Sequence, residues 1–226
     1  MGSGTVKGRP RELCGLAGVF GVVVPVAGQV ILPIWTFPGT RATGAQIGAY
    51  IRAHHAALEV VMVLNSVGVT LWLVFGCGVW LRLRRAAGPD SVLPMCLAVG
   101  FGGFITLLLS GFTAFDVLIY RAPDFANAKL LYDLAFGLLA MSGLPTALAL
   151  GAYSLGVHTY PCLPRRTARL ACAAATAHVA LLASFVVTSG FFSLQGAVIA
   201  VIPALLFAWI FDTAVAMLRH PEPGRT

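Results

Sequence analysis

Charge is what this chain has least of. Asp, Glu, Lys and Arg together make up 10% of its 226 residues, whereas 58% are hydrophobic. That balance excludes an ordinary soluble domain, whose surface needs about a quarter of its residues charged, and it fits a chain whose main solvent is lipid. Period-two alternation is also missing from the long apolar runs. In hydrocarbon every backbone amide needs a partner within its own segment or in a closed barrel, so unbroken apolar runs without alternation select helices. The expected fold class is all-α, a polytopic membrane helical bundle.

Further absences narrow the chemistry. The five cysteines, Cys14, Cys77, Cys96, Cys162 and Cys172, show no CxxC spacing and fall mostly within apolar segments, where they read as small core side chains. The net charge of +7 comes from short basic clusters between apolar runs, with no aromatic-interleaved patch, which argues against nucleic acid as a partner. There is no DDxxD-like or NDxxD-like cluster for magnesium and diphosphate, no HExxH, no GxSxG and no pair of histidines spaced for haem. Ser110 and Ser189 each precede glycine, but no GxSx context makes either a nucleophile paired with His178. No metal and no cofactor are expected.

A spanning helix needs about 20 mostly apolar residues. Six stretches qualify, at 13–36, 56–81, 92–120, 130–157, 170–191 and 196–218, with seven helices as the alternative count. The first is too long for the apolar region of a signal peptide and lacks a small-residue cleavage site, so it is expected to remain as a helix. With the N-terminus cytoplasmic, eleven cations fall inside (Lys7, Arg9, Arg11, Arg82, Arg84, Arg85, Arg165, Arg166, Arg169, Arg219, Arg225) and four outside (Arg41, Arg52, Arg121, Lys129). This bias predicts an integral membrane protein with both termini cytoplasmic. Residues 1–12 and 219–226 read as a disordered N-terminus and a cytoplasmic tail around a single bundle at 13–218.

Connections are short except the first outer one, where Pro38 and Gly39 make a turn and Thr43 with Gln46 forms a capping box that starts a new helix. Interior Pro25, Pro33, Pro94, Pro145 and Pro203 predict kinks, tolerated where neighbouring groups or a cavity take the freed carbonyls. No internal repeat suggests an inverted-repeat transporter.

Ionisable residues inside a span cost several kcal/mol on insertion and are therefore candidate functional groups. Glu59, Asp116, Asp133 and Asp212 qualify, accompanied by Asn65 and His178. Glu59 shares a helix face with His55 and Arg52 and reads either as a local ion pair or as a buried proton donor. Asp116 shares a stripe with Phe112 and Tyr120; Asp133 has Lys129 one turn before it, a simple pair, and Phe136 one turn after. His178 and Asp212, at comparable spacing from Arg169 and Arg219, form a candidate pair, the alternative being a long Arg219 side chain snorkelling past a solvated Asp212. Trp35, Trp72, Phe104, Phe207 and Trp209 are among many aromatics that read as core, interfacial belt or, around a dry cavity, π faces for a cation.

A small polytopic chain with an acid early in the second span, at RAHHAALEVV, and another in the last, at AWIFDTAV, resembles the integral membrane terpene cyclases of meroterpenoid and indole-sesquiterpenoid pathways, in particular the bacterial drimentine-pathway type. The resemblance implies protonation of the alkene or epoxide of a prenylated substrate followed by carbocation cyclisation, with Glu59 and Asp212 matching the two acids and Asp116 and Asp133 the alternative partners of Glu59. His55, Asn65, Phe112, Tyr120, Phe136, His178 and Trp209 are the expected substrate-binding residues. Fungal members of that family are drawn with seven helices, and the resemblance to the bacterial type implies a bacterial cytoplasmic membrane as the location.

Such chemistry needs a neutral acid, a water-excluding apolar cavity and aromatic faces, but no diphosphate site. Two other classes accommodate the same residues: a proton-coupled transporter, whose carboxyls load and release protons, and a non-enzymatic subunit packing through small residues around Gly100, Gly102 and Gly103. The shape of the interior separates them. A cyclase has one closed cavity, a transporter has access from both sides, and a subunit needs neither.

Overall fold

The computed structural model describes residues 9–121 and 125–219. Within them lie eight α-helices: α1 (Arg9–Ile31), α2 (Gly44–Ala53), α3 (His55–Ala87), α4 (Leu93–Arg121), α5 (Phe125–Met141), α6 (Gly143–Thr159), α7 (Arg165–Ala180) and α8 (Val198–Arg219). Six stretches are long and apolar enough to cross a bilayer: Glu12–Thr36, His55–Ala87, Leu93–Arg121, Asn127–Thr159, Arg165–Phe185 and Val198–Arg219. The chain is an all-α integral membrane protein. Helix α1 already begins at Arg9, inside the expected disordered N-terminus, while residues 1–8 and 220–226 of the two expected tails lie outside the described residues.

The six spans pack in chain order as a closed ring. α1 lies against α3, α3 against α4, α4 against α5 and α6, α6 against α7, α7 against α8, and α8 returns to α1. Arg82, Arg84, Arg85, Arg165, Arg166, Arg169 and Arg219 gather at one end, called here the basic end. The ring's centre is filled towards that end by Phe75, Phe101, Tyr153 and Trp209, where the Trp209 ring stands edge-on to Phe75 at 5.6 Å and to Tyr153 at 5.1 Å.

At the far end the capping box is formed as expected. Gln46 N–H donates to Thr43 Oγ1 at 3.3 Å, and Thr43 N–H donates to Gln46 Oε1 at 2.8 Å. The helix it starts, α2, has 10 residues, about 15 Å at 1.5 Å per residue, half of a ~30 Å hydrocarbon core. It therefore does not add a seventh span. Ile47 and Ile51 bury its inner face, and it packs chiefly on α5.

Prolines act unequally. Pro25 and Pro203 sit inside α1 and α8. Pro145, lacking an N–H for the Met141 carbonyl, marks the joint between α5 and α6, where Ser142 N–H still bonds Leu138 O at 3.0 Å. Pro33 instead ends α1 and opens a 3₁₀ turn, Ile34–Thr36, and Pro94 falls in the first turn of α4, where no helical bond is lost. The expected fifth span through residue 191 is corrected too. α7 stops at Ala180, a 3₁₀ turn follows at Leu181–Phe185, and 186–197 is non-helical up to the start of α8 at Val198. The β-branched run Val186, Val187, Thr188 is a poor helix former, and Gly190 takes a left-handed φ of 82° that turns the chain back.

Candidate functional site

Between the packed basic half and the far-end loops, the ring leaves a cavity of about 280 Å³. Two helix-interior prolines border it directly, Pro25 on α1 and Pro203 on α8, and Ser142 of the α5–α6 joint lies in its wall. Gly68 lets α3 pass close to α1 at Pro25. A Cβ at that position would meet Pro25 Cδ at 2.6 Å and the Gly21 carbonyl at 3.1 Å, so the approach leaves no room for a side chain.

Aromatic rings form much of the wall. Trp72 of α3 stacks on Phe104 of α4 at 5.8 Å and stands edge-on to Phe207 of α8 at 5.3 Å. Such offset and edge contacts are the favoured geometries for aromatic pairs. The Trp72 indole N–H is buried without a partner among the described residues. A second chamber of about 60 Å³ adjoins the first and shares Gln29, Ile34, Asn65, Phe112 and Leu139 with it; its far wall includes Phe37, Phe115 and Phe136. Val26 and Trp35 line the main chamber and yet are 44% and 73% exposed, so its rim lies on the outer surface of the bundle at lipid-facing positions.

Besides the tryptophans, four hydrogen-bonding side chains reach this apolar space. Gln29 Oε1 accepts from Ile34 N–H at 3.0 Å, which ties the 3₁₀ turn to α1 and leaves the amide nitrogen of Gln29 without a bond to the described protein. Asn65 has no hydrogen bond to the described residues through either amide atom. Ser142 Oγ donates to Leu139 O at 2.7 Å and so presents only lone pairs. The His178 ring pairs Nδ1 with Ala174 O at 2.7 Å; because a carbonyl only accepts, Nδ1 carries the hydrogen and the neutral ring has Nε2 as a bare acceptor.

The structure brings together Asn65, Phe112, Phe136 and His178 of the residues singled out in the sequence. It does not bring the carboxyls to them. Glu59 is exposed on α3, 3.6 Å from His55 Nδ1, and Asp116 and Tyr120 are exposed on α4. Glu59 and Asp116 thus do not share an interior space. Asp133 takes up its expected partner, Lys129, at 3.0 Å and a second, Gln195, at 3.0 Å.

Asp212 bonds Arg166 through both oxygens, at 3.0 and 3.2 Å, rather than His178 or Arg219. Arg166 and His178 are twelve residues apart on α7, about 18 Å along the axis, so one acid cannot serve both. Trp209 is fully buried in the basic half, away from the cavity wall.

Gln29 and Ser142 are the polar wall residues not legible as candidates in the sequence. A search for ionisable groups passes over neutral polar side chains, although both stand in long apolar runs near a proline. No family model, no curated protein and no solved structure matches the chain.

Proposed function

We propose that the chain takes a small, uncharged hydrophobic molecule from the bilayer into the aromatic cavity and holds it there. One observation carries this reading: an apolar cavity of about 280 Å³ whose rim residues, Val26 and Trp35, stand at lipid-facing positions on the outer surface. At the roughly 30 Å³ that a water occupies in the liquid, the space suits a molecule or chain end of about ten non-hydrogen atoms. No Asp, Glu, Lys or Arg lines it, and an unpaired charge in such surroundings is costly. The arginines at the basic end support placing that end, and both termini, on the cytoplasmic side of the membrane.

Photolabelling in nanodiscs tests the reading, with a decyl probe bearing a terminal alkyl diazirine. Saturable labelling of peptides containing Val69, Phe104 and Phe207, competed by decane, is expected. Unsaturable labelling spread over the lipid-facing Val63 and Val99, with none at the cavity residues, would remove it.

A second reading, cyclisation of a prenylated substrate after the manner of the membrane terpene cyclases, draws support from the Trp72, Phe104 and Phe207 rings, whose π faces suit a carbocation. Its proton donor cannot be Glu59, Asp116, Asp133 or Asp212 in this arrangement, since none lines the cavity. His178 is the titratable side chain in the wall, and with Nδ1–H held by Ala174 O it would have to be protonated at Nε2 before it could donate. Conversion of a prenylated acceptor into an isomer of unchanged mass by purified protein in nanodiscs tests this reading, and loss of that product in His178→Phe would place the conversion in this cavity.

A further inference from the structure

Resting on the reading of the cavity as a binding site, we infer that its ligand carries an uncharged carbonyl oxygen, of the ketone, ester or quinone class, and that Asn65 and Gln29 hold that oxygen. The two residues stand on facing stretches of α1 and α3: a Cβ on the neighbouring Gly28 would lie 3.6 Å from Val61 and 3.8 Å from Leu64. Both line the main chamber and the smaller one, so they sit where the two spaces join.

The Ile34 N–H settles which way the Gln29 amide faces, because a donor needs the oxygen; the nitrogen with its two hydrogens is what remains for a ligand. Asn65 adds a second unpaired NH₂ and one oxygen. The junction is therefore rich in donors and poor in acceptors. Its other shared walls, Ile34, Phe112 and Leu139, offer no side-chain acceptor.

An amide in hydrocarbon surroundings is stable only when its hydrogens find an acceptor, and lipid tails supply none. A carbonyl oxygen has two lone pairs and can take one N–H from each residue. A carboxylate would offer the same lone pairs with a charge that no cation in the wall balances.

The test measures competition against the decyl photoprobe in nanodiscs by decan-2-one, decane and decanoate, with concentrations expressed per lipid. In the wild type, decan-2-one is expected to compete at about one tenth of the decane concentration, the gain of a net hydrogen bond or two. In Asn65→Leu the ratio should fall to about three, the Gln29 N–H remaining, while decane competes as before, which also shows that the variant is folded. Gln29→Leu, which in addition frees Ile34 N–H, should lower the ratio in the same direction.

A ratio of one in the wild type, with decane competing, would overturn the carbonyl assignment and leave the hydrophobic site standing. The same holds for an unchanged ratio in Asn65→Leu or for decanoate competing best. Failure of every compound to compete in the wild type would overturn the site itself.

Discussion

Gln195 reaches back 62 positions along the chain to donate its side-chain N–H to Asp133 Oδ1 at 3.0 Å, the same oxygen that Lys129 Nζ bonds at 3.0 Å. Around this carboxylate the far end is sewn shut. Lys129 also donates to Thr40 O at 2.8 Å, Tyr132 OH donates to Pro38 O at 2.7 Å, and Gln195 N–H donates to Thr40 Oγ1 at 3.3 Å. One acid on α5 thereby joins the loop before α2 to the loop before α8.

Asp133→Ala should therefore loosen two loops at once. The pair with Lys129 is partly exposed, 35% and 39%, so its ionic share is screened, and the loss is expected to be about 1 kcal/mol, a drop of roughly 2–4 °C in Tm. Hydrogen exchange should rise at both 38–43 and 190–197. A rise at only one of these segments would show that the carboxylate does not link them.

Gly68→Ala should destabilise by about 1–3 kcal/mol, because the added methyl meets a rigid proline ring and has no flexible side chain to displace. Pro25→Ala should recover part of that loss in the double variant, since the contacted atoms belong to the Pro25 ring. Strict additivity of the two changes in detergent unfolding would mean that the Pro25 ring and the close approach of α3 are independent.

Much of this was legible beforehand, for physical reasons. Six spans follow from the length of the apolar runs, and the Thr43–Gln46 box and the Lys129–Asp133 pair follow from spacing within one helix. Legibility stopped where partners are distant in sequence. Nothing in the run around Asp212 points to Arg166, and nothing around Asp133 points to Gln195. The fifth span was misjudged because hydropathy scores Val186 and Val187 highly while their β-branched shape disfavours helix. The cavity residues Gln29 and Ser142 were passed over because the cost of burying a charge drew attention to carboxyls, and these lie on surfaces or in ion pairs.

Reporter fusions at the two ends should report the same compartment, the cytoplasm. An even number of spans requires that the ends share a side, and the seven described arginines of the basic end choose which side it is. Reversing the charge of Arg84, Arg85, Arg165 and Arg169 together should weaken that preference and give mixed topology. Ends in opposite compartments would mean that one of the six stretches does not cross.

The sharpest contrast lies between acids and cavity. Val69 is buried on α3 between Asn65 and Trp72 and lines the main chamber, so Val69→Phe should put its ring into that space and cut photolabelling by the decyl probe at least tenfold. Stability should change little, because the new ring enters a void rather than packed core. Glu59→Gln and Asp212→Asn should leave labelling unchanged, since neither carboxyl lines the cavity; Asp212→Asn should cost at most about 1 kcal/mol, the worth of a partly exposed ion pair. If instead Glu59→Gln or Asp212→Asn abolished conversion of a prenylated acceptor while binding persisted, the acid would act from outside the wall described here. The helices carrying it would then have to rearrange when substrate enters. Unchanged labelling in Val69→Phe would place the binding site elsewhere on the bundle.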